Sequence, residues 1–177
     1  MECRPTMPQR LGNRVCLEKM KYIAHRGLTD GPDSELENRP DQILESLANG
    51  YHCEIDVRFV GKKWMLGHDT PDYEVNFEFL EHPNLWIHAK NLDALYILGA
   101  SQRLNFFWHQ EDSFTLTSQG YIWTYPGNEL TDDSIMVMPE YVDSTLYNAY
   151  TAECYAICSD YVTKIELERN KLTKEKK

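Results

Sequence analysis

The chain has 177 residues, of which 42% are hydrophobic and 26% charged, with four Trp and eleven Tyr, enough apolar material for one well-buried domain. Lys and Arg number 18 against 28 Asp and Glu, a net charge of −10, which disfavours non-specific binding to nucleic acid or to an anionic membrane surface. Apolar runs of only a few residues and a polar stretch from Met1 to Arg10 speak against membrane insertion and a signal peptide, and five cysteines without a CxxC pair read as reduced thiols of a cytoplasmic protein.

Residues 1–19 are expected to form an extension outside the domain. Tyr22-Ile23-Ala24-His25 is a short β-type run ending at Arg26-Gly27, followed by a polar loop from Thr29 to Glu37. Pro40 opens a helix whose apolar residues Ile43, Leu44, Leu47 and Ala48 share one face and which stops at Asn49-Gly50. The run from His52 to Phe59 turns through Gly61-Lys62-Lys63 into Trp64-Met65-Leu66, a hairpin that ends at Gly67-His68-Asp69. Further β-type runs are Leu85 to Ala89, Phe106 to His109, Tyr121 to Tyr125, Ile135 to Met138 and Tyr155 to Ile157. Helices are expected from Leu92 to Leu98, Asp112 to Ser118 and Asp143 to Ala152. Alternation of this kind argues for a parallel sheet with helices outside it. An eight-stranded βα barrel usually needs about 200 to 250 residues, so the expected fold is an α/β one, a reduced TIM-type barrel of about seven parallel strands. It would occupy residues 20–163, with a charged tail at 164–177.

Four of the six histidines, His25, His68, His88 and His109, fall within or at the ends of expected strands. In a βα barrel such ends converge on one mouth, where active sites are built. Glu54 and Asp56 are two apart on a strand and project from one face, as do His88 and Lys90. Two carboxylates buried side by side need compensating positive charge, for which a hard divalent cation is the natural source. Plainer readings stay open. Glu54-x-Asp56 also suits the polar face of a half-exposed antiparallel strand, His68-Asp69 also suits a simple turn, and the aromatic pair Trp123 and Tyr125 suits either a mouth or a core. No Gly-rich loop suggests a coenzyme.

The succession His25-Arg26-Gly27, Glu37-Asn38, Glu54-x-Asp56-x-Arg58 and His68-Asp69 resembles the glycerophosphodiester phosphodiesterase family, within the wider group of phospholipase C-like phosphodiesterase barrels. The similarity is dense from Tyr22 to Pro71 and sparse afterwards, with weaker matches at Lys90, Trp123-Thr124 with Asn128, and Ala156 to Asp160. The resemblance implies a metal-dependent phosphodiester hydrolase with His25 and His68 as acid and base, Glu54 and Asp56 holding one divalent ion, and Arg26 and Lys90 binding the phosphodiester. His109 and Trp123 would touch the substrate, a soluble small-molecule phosphodiester linked to glycerol or a sugar. Where the family has an acidic ligand two residues before its strand lysine, this chain has His88. If His88 coordinates, preference moves from magnesium or calcium toward manganese or zinc; Glu140 could complete the shell instead, or the metal site has decayed. Two other functions use the same residues: a non-catalytic module binding a phospho-ligand or glycan, and a lyase-like enzyme forming a cyclic phosphate.

Overall fold

Side chains alternate between the two faces of a strand, and in this chain that alternation separates a convex apolar layer from a concave face with a polar rim. The computed structural model describes residues 20–175. Its strands are β1 (Lys21–His25), β2 (His52–Val60), β3 (Lys63–Leu66), β4 (Tyr73–Val75), β5 (Leu85–Ala89), β6 (Phe106–Phe107), β7 (Phe114–Leu116), β8 (Ile122–Thr124), β9 (Ser134–Val137) and β10 (Ala156–Ser159). Its helices are α1 (Pro40–Ala48), α2 (Phe77–Leu80), α3 (Leu92–Leu98), α4 (Tyr147–Thr151) and α5 (Val162–Glu175), with a 3-10 turn at Pro139–Tyr141.

All ten strands belong to one sheet, in the order β4-β3-β2-β1-β10-β9-β8-β7, with β5 on the other flank of β2 and β6 beside β5. The expected TIM-type barrel of parallel strands is not what the chain builds. Pairing is antiparallel at β2–β3, β3–β4 and β7–β8, so the sheet is mixed. The first departure has a local cause: Gly61 and Lys62 both have positive φ, 58° and 66°, the two-residue turn that sends a strand straight back along itself. The second lies at Asp112 to Ser118, expected as a helix. Its centre is β7, where Phe114 and Leu116 face outward and the intervening Thr115 hydroxyl donates to the Trp108 carbonyl at 3.2 Å; alternation and β-branched Thr suit a strand.

The sheet is strongly curled into an open half-barrel. Trp86 on β5 and Trp123 on β8 are separated along it by β2, β1, β10 and β9, which in a flat sheet would place them about 24 Å apart at about 4.8 Å per strand. Their ring centroids are 6.3 Å apart. Ile23, Trp86, Phe107, Trp123, Ile135, Ala156 and Cys158 fill this concave interior. On the convex side Tyr22, Ala24, Cys53, Ile55, Ile87 and Ile157 pack with Ile43 of α1, Ala94 and Leu98 of α3, and Val162 and Ile165 of α5. The expected tail boundary at 163 therefore falls inside α5, which is anchored by its first turn. The extension at 1–19 lies outside the described residues. Among these residues no helix is long and apolar enough to cross a membrane.

Candidate functional site

The polar rim follows from strand register. His25 pairs with Glu54 across β1 and β2, and Asp56 pairs with His88 across β2 and β5, so four inward-facing polar side chains lie on three adjacent strands above the aromatic floor. Asp160 joins them because it continues the inward series Ala156, Cys158 of β10. Glu54, Asp56 and Asp160 are 2%, 1% and 6% exposed, a burial that carboxylates tolerate only with partners.

The partners are specific. His88 Nδ1 lies 3.2 Å from Asp56 Oδ1 and 3.6 Å from Glu54 Oε1. The second oxygen of each carboxylate is held by the chain. Asp56 Oδ2 accepts from Asn38 Nδ2 at 2.9 Å and lies 3.2 Å from Arg26 Nε, while Glu54 Oε2 accepts from the Arg26 main-chain N–H at 3.2 Å. Arg26 Nη1 donates to Glu37 at 2.6 Å, and its Nε, though close to Asp56, makes no hydrogen bond. Lys90 Nζ reaches Asp56 Oδ1 at 3.6 Å. His25 Nδ1 is 2.8 Å from Asp160 Oδ1, and its Nε2 is 4.0 Å from Glu54.

Local backbone holds this arrangement in place. Arg26 and Asn38 both have positive φ, 52° and 59°, strained for residues with side chains. The Asn38 N–H donates to the Arg26 carbonyl at 2.9 Å, and the Gly27 carbonyl accepts from Ser46 Oγ and Gln42 Nε2 of α1 at 2.7 and 3.1 Å. Helix α1 thus pins the Arg26-Gly27 turn against the strand ends.

Charge follows geometry. Burial alone would raise the Asp56 carboxyl, but His88, Arg26 and Lys90 together hold it well below the usual carboxylate range. Burial pulls His88 down, yet hydrogen bonds and charge from Asp56 and Glu54 outweigh it and push the imidazole up to about 9. His25 is likewise raised: burial opposes this, and Asp160 and Glu54 prevail. Without a metal, therefore, a protonated His88 sits between the two carboxylates.

A cation fits the same three residues. One donor atom from each of Glu54, Asp56 and His88 can be chosen with all three within 4.8 Å of one another. Donors sharing an ion at about 2.1–2.4 Å stand about 3.0–3.4 Å apart on adjacent vertices; the His88–Asp56 spacing of 3.2 Å falls in that range and the His88–Glu54 spacing of 3.6 Å lies just above it. Carboxylate oxygens with an imidazole suit manganese or zinc as well as magnesium.

The remaining expected residues are distributed around this cluster. His68 lies on the loop after β3, which starts beside the cluster because the Gly67 N–H donates to the Asp56 carbonyl at 3.1 Å. Its imidazole pairs with Asp69 at 2.8 Å, and its carbonyl accepts from Arg58 Nη2, while Arg58 Nη1 donates to the Lys90 carbonyl at 3.1 Å. His109 follows β6 on the same face, its ring 6.2 Å from that of His88. Trp123 is core: it is 4% exposed and stacked on Phe107 at 4.4 Å. Glu140 accepts from Ser159 Oγ at 2.9 Å and from the Asp160 N–H at 3.0 Å, so it buttresses the end of β10 rather than the triad. Burial raises its carboxyl against those two hydrogen bonds.

Asp160 and Asn38 are the functional candidates to which sequence reasoning assigned no role. The signal for Asp160 was its place two residues beyond an inward Cys158; its partner His25 is 135 positions away. Comparison with protein-family models, with curated protein sequences and with solved structures finds no match for this chain.

Proposed function

We propose that the chain is a divalent-metal-dependent phosphodiester hydrolase acting on a soluble glycerol- or sugar-linked phosphodiester. The observation that carries this reading is the convergence of Glu54, Asp56 and His88 on one point, with His25, Arg26 and Lys90 around them. Glu54, Asp56 and His88 would hold a divalent ion, which would supply positive charge to phosphoryl oxygens and favour the charge that builds up during displacement at phosphorus. Arg26 and Lys90, both paired with Asp56 at the cluster, supply the positive charge that binds the anionic diester. Asp160 accepts from His25 Nδ1, which leaves Nε2 to take or return a proton at the mouth. His68 is the second acid–base group, on a loop tied to the end of β5 through Arg58. We place the chain in a reducing, cytoplasmic compartment, where thiols such as Cys53, Cys154 and Cys158, free among the described residues, stay reduced.

A second reading is favoured by one observation. Protonated His88, with Arg26 and Lys90, already compensates the charge of Glu54 and Asp56, as a site that has lost its metal and now only binds a phospho-ligand would require. Calorimetric titration of chelator-treated protein with manganese, magnesium, calcium and zinc decides between them. One stoichiometric site that disappears in Glu54→Gln/Asp56→Asn supports the hydrolase; no binding of any of the four leaves the binding module. Phosphorus NMR of the products separates hydrolysis from cyclic phosphate formation.

A further inference from the structure

The concave face carries rings in steps from its floor to its rim. Phe107 lies between Trp123, at 4.4 Å, and His88, at 5.0 Å and nearly parallel. Two residues on, His109 lies between His88, at 6.2 Å, and Tyr125, at 5.3 Å. The main chain of His109 is committed, because its carbonyl accepts from His88 Nε2 at 3.0 Å. Its ring is not: among the described residues both ring nitrogens are buried and neither has a hydrogen-bond partner.

Buried polar atoms in folded chains are nearly always hydrogen-bonded, and exceptions call for a partner that the chain itself does not supply. A neutral imidazole presents one donor and one acceptor. A phosphoryl oxygen, which only accepts, answers one of them; a hydroxyl group, which donates and accepts, answers either. The ring stands one step beyond His88, so an alcohol esterified to a phosphorus at the triad extends toward it.

We propose that His109 is the specificity-determining contact of the mouth, its ring hydrogen-bonding a hydroxyl group on the alcohol part of the bound phosphoester. The inference rests on the reading of the mouth as a phosphodiester site. Tyr125, 43% exposed, is the outer wall against which the carbon skeleton of such a polyol packs. A phosphoester whose alcohol lacks a hydroxyl leaves the His109 nitrogens unpartnered and binds more weakly, as sites built around a hydroxyl do.

The test is calorimetric titration of the full chain, with manganese present, against glycerol 3-phosphate and against methyl phosphate, which carries the same phosphoryl group without a hydroxyl. The wild type binds glycerol 3-phosphate at least about tenfold more tightly. In His109→Phe, which keeps the ring and removes both nitrogens, the ratio falls to about one while methyl phosphate affinity is unchanged. His109→Gln, which retains a donor and an acceptor, keeps part of the preference. Imidazole nitrogen NMR of the wild-type chain reads the same contact without a variant: glycerol 3-phosphate moves the His109 signals and methyl phosphate leaves them in place. A ratio near one in the wild type, no binding of either ligand, or a preference that His109→Phe leaves intact overturns the proposal. Turnover of bis(p-nitrophenyl) phosphate is read separately. Turnover without hydroxyl preference overturns the His109 assignment and leaves the hydrolase standing, whereas His109-dependent preference without turnover does the reverse.

Discussion

His88 and Asp56 are direct cross-strand neighbours in the β2–β5 pair, and the imidazole Nδ1 lies 3.2 Å from Asp56 Oδ1. Register thus places a cationic histidine directly beside the two buried carboxylates. The side chain turns toward Glu54 and Asp56, which is the orientation a metal ligand requires and also the one a compensating charge requires.

Replacing His88 by Glu separates these roles. Without metal, His88→Glu removes a positive charge and puts a third carboxylate beside Glu54 and Asp56, so the apo protein loses about 2–4 kcal/mol at neutral pH. Adding calcium or magnesium restores stability, because the shell is then all oxygen. Thermal melts with chelator and with each ion measure both effects; a variant as stable as wild type in chelator contradicts the charge assignment.

His52 gives a pH dependence away from the cluster. Its Nδ1 accepts from Trp86 Nε1 at 3.2 Å, and burial, with Lys21 nearby, lowers its pKa from 6.5 to about 4. The folded chain therefore favours the neutral ring. The resulting stability is fully present above pH 6.5 and is lost as pH falls from 6.5 toward 4, where the unfolded chain binds the proton first. Allowing for partial solvent access, the loss is about 1–2 kcal/mol. Urea unfolding of wild type and His52→Asn at about pH 7.5 and about pH 5, above and below a free histidine's midpoint, reads it as a difference that shrinks on acidification.

Gly67 sets the path of the His68 loop. Its φ is +140°, and a Cβ there would run into the Thr70 carbonyl and lie 2.6 Å from Asp72 Oδ2. Gly67→Ala must open the turn, at a cost of about 2 kcal/mol or more, and displaces His68 from the β5 end to which Arg58 ties it. A melting temperature equal to wild type would show that the loop accommodates the methyl group.

Much of this arrangement was legible locally. Helices α1 and α3 and strand β5 have the bounds expected from Pro40, from apolar spacing and from the run Leu85–Ala89, because caps and periodicity act over a few residues. The pairing of Glu54 with Asp56 on one face needed only the two-residue repeat of a strand. What escaped depends on distant chain. The partner that orients His25 is Asp160, 135 positions away, and the curl that brings Trp86 to Trp123 is a property of the whole sheet. Strand β7 escaped for another reason: three residues with outward Phe114 and Leu116 carry too short a pattern to tell a strand from a helix.

Metal-dependent cleavage of a phosphodiester at the Glu54, Asp56 and His88 cluster is the proposal on which the other residue roles depend. Its most direct measurement is hydrolysis of bis(p-nitrophenyl) phosphate by chelator-treated protein, before and after addition of manganese or magnesium, in wild type and in Glu54→Gln. Turnover is expected to be absent without metal, restored by the ion, and reduced by about 10²-fold or more in the variant. Turnover that survives the chelator, or that Glu54→Gln leaves unchanged, would contradict it.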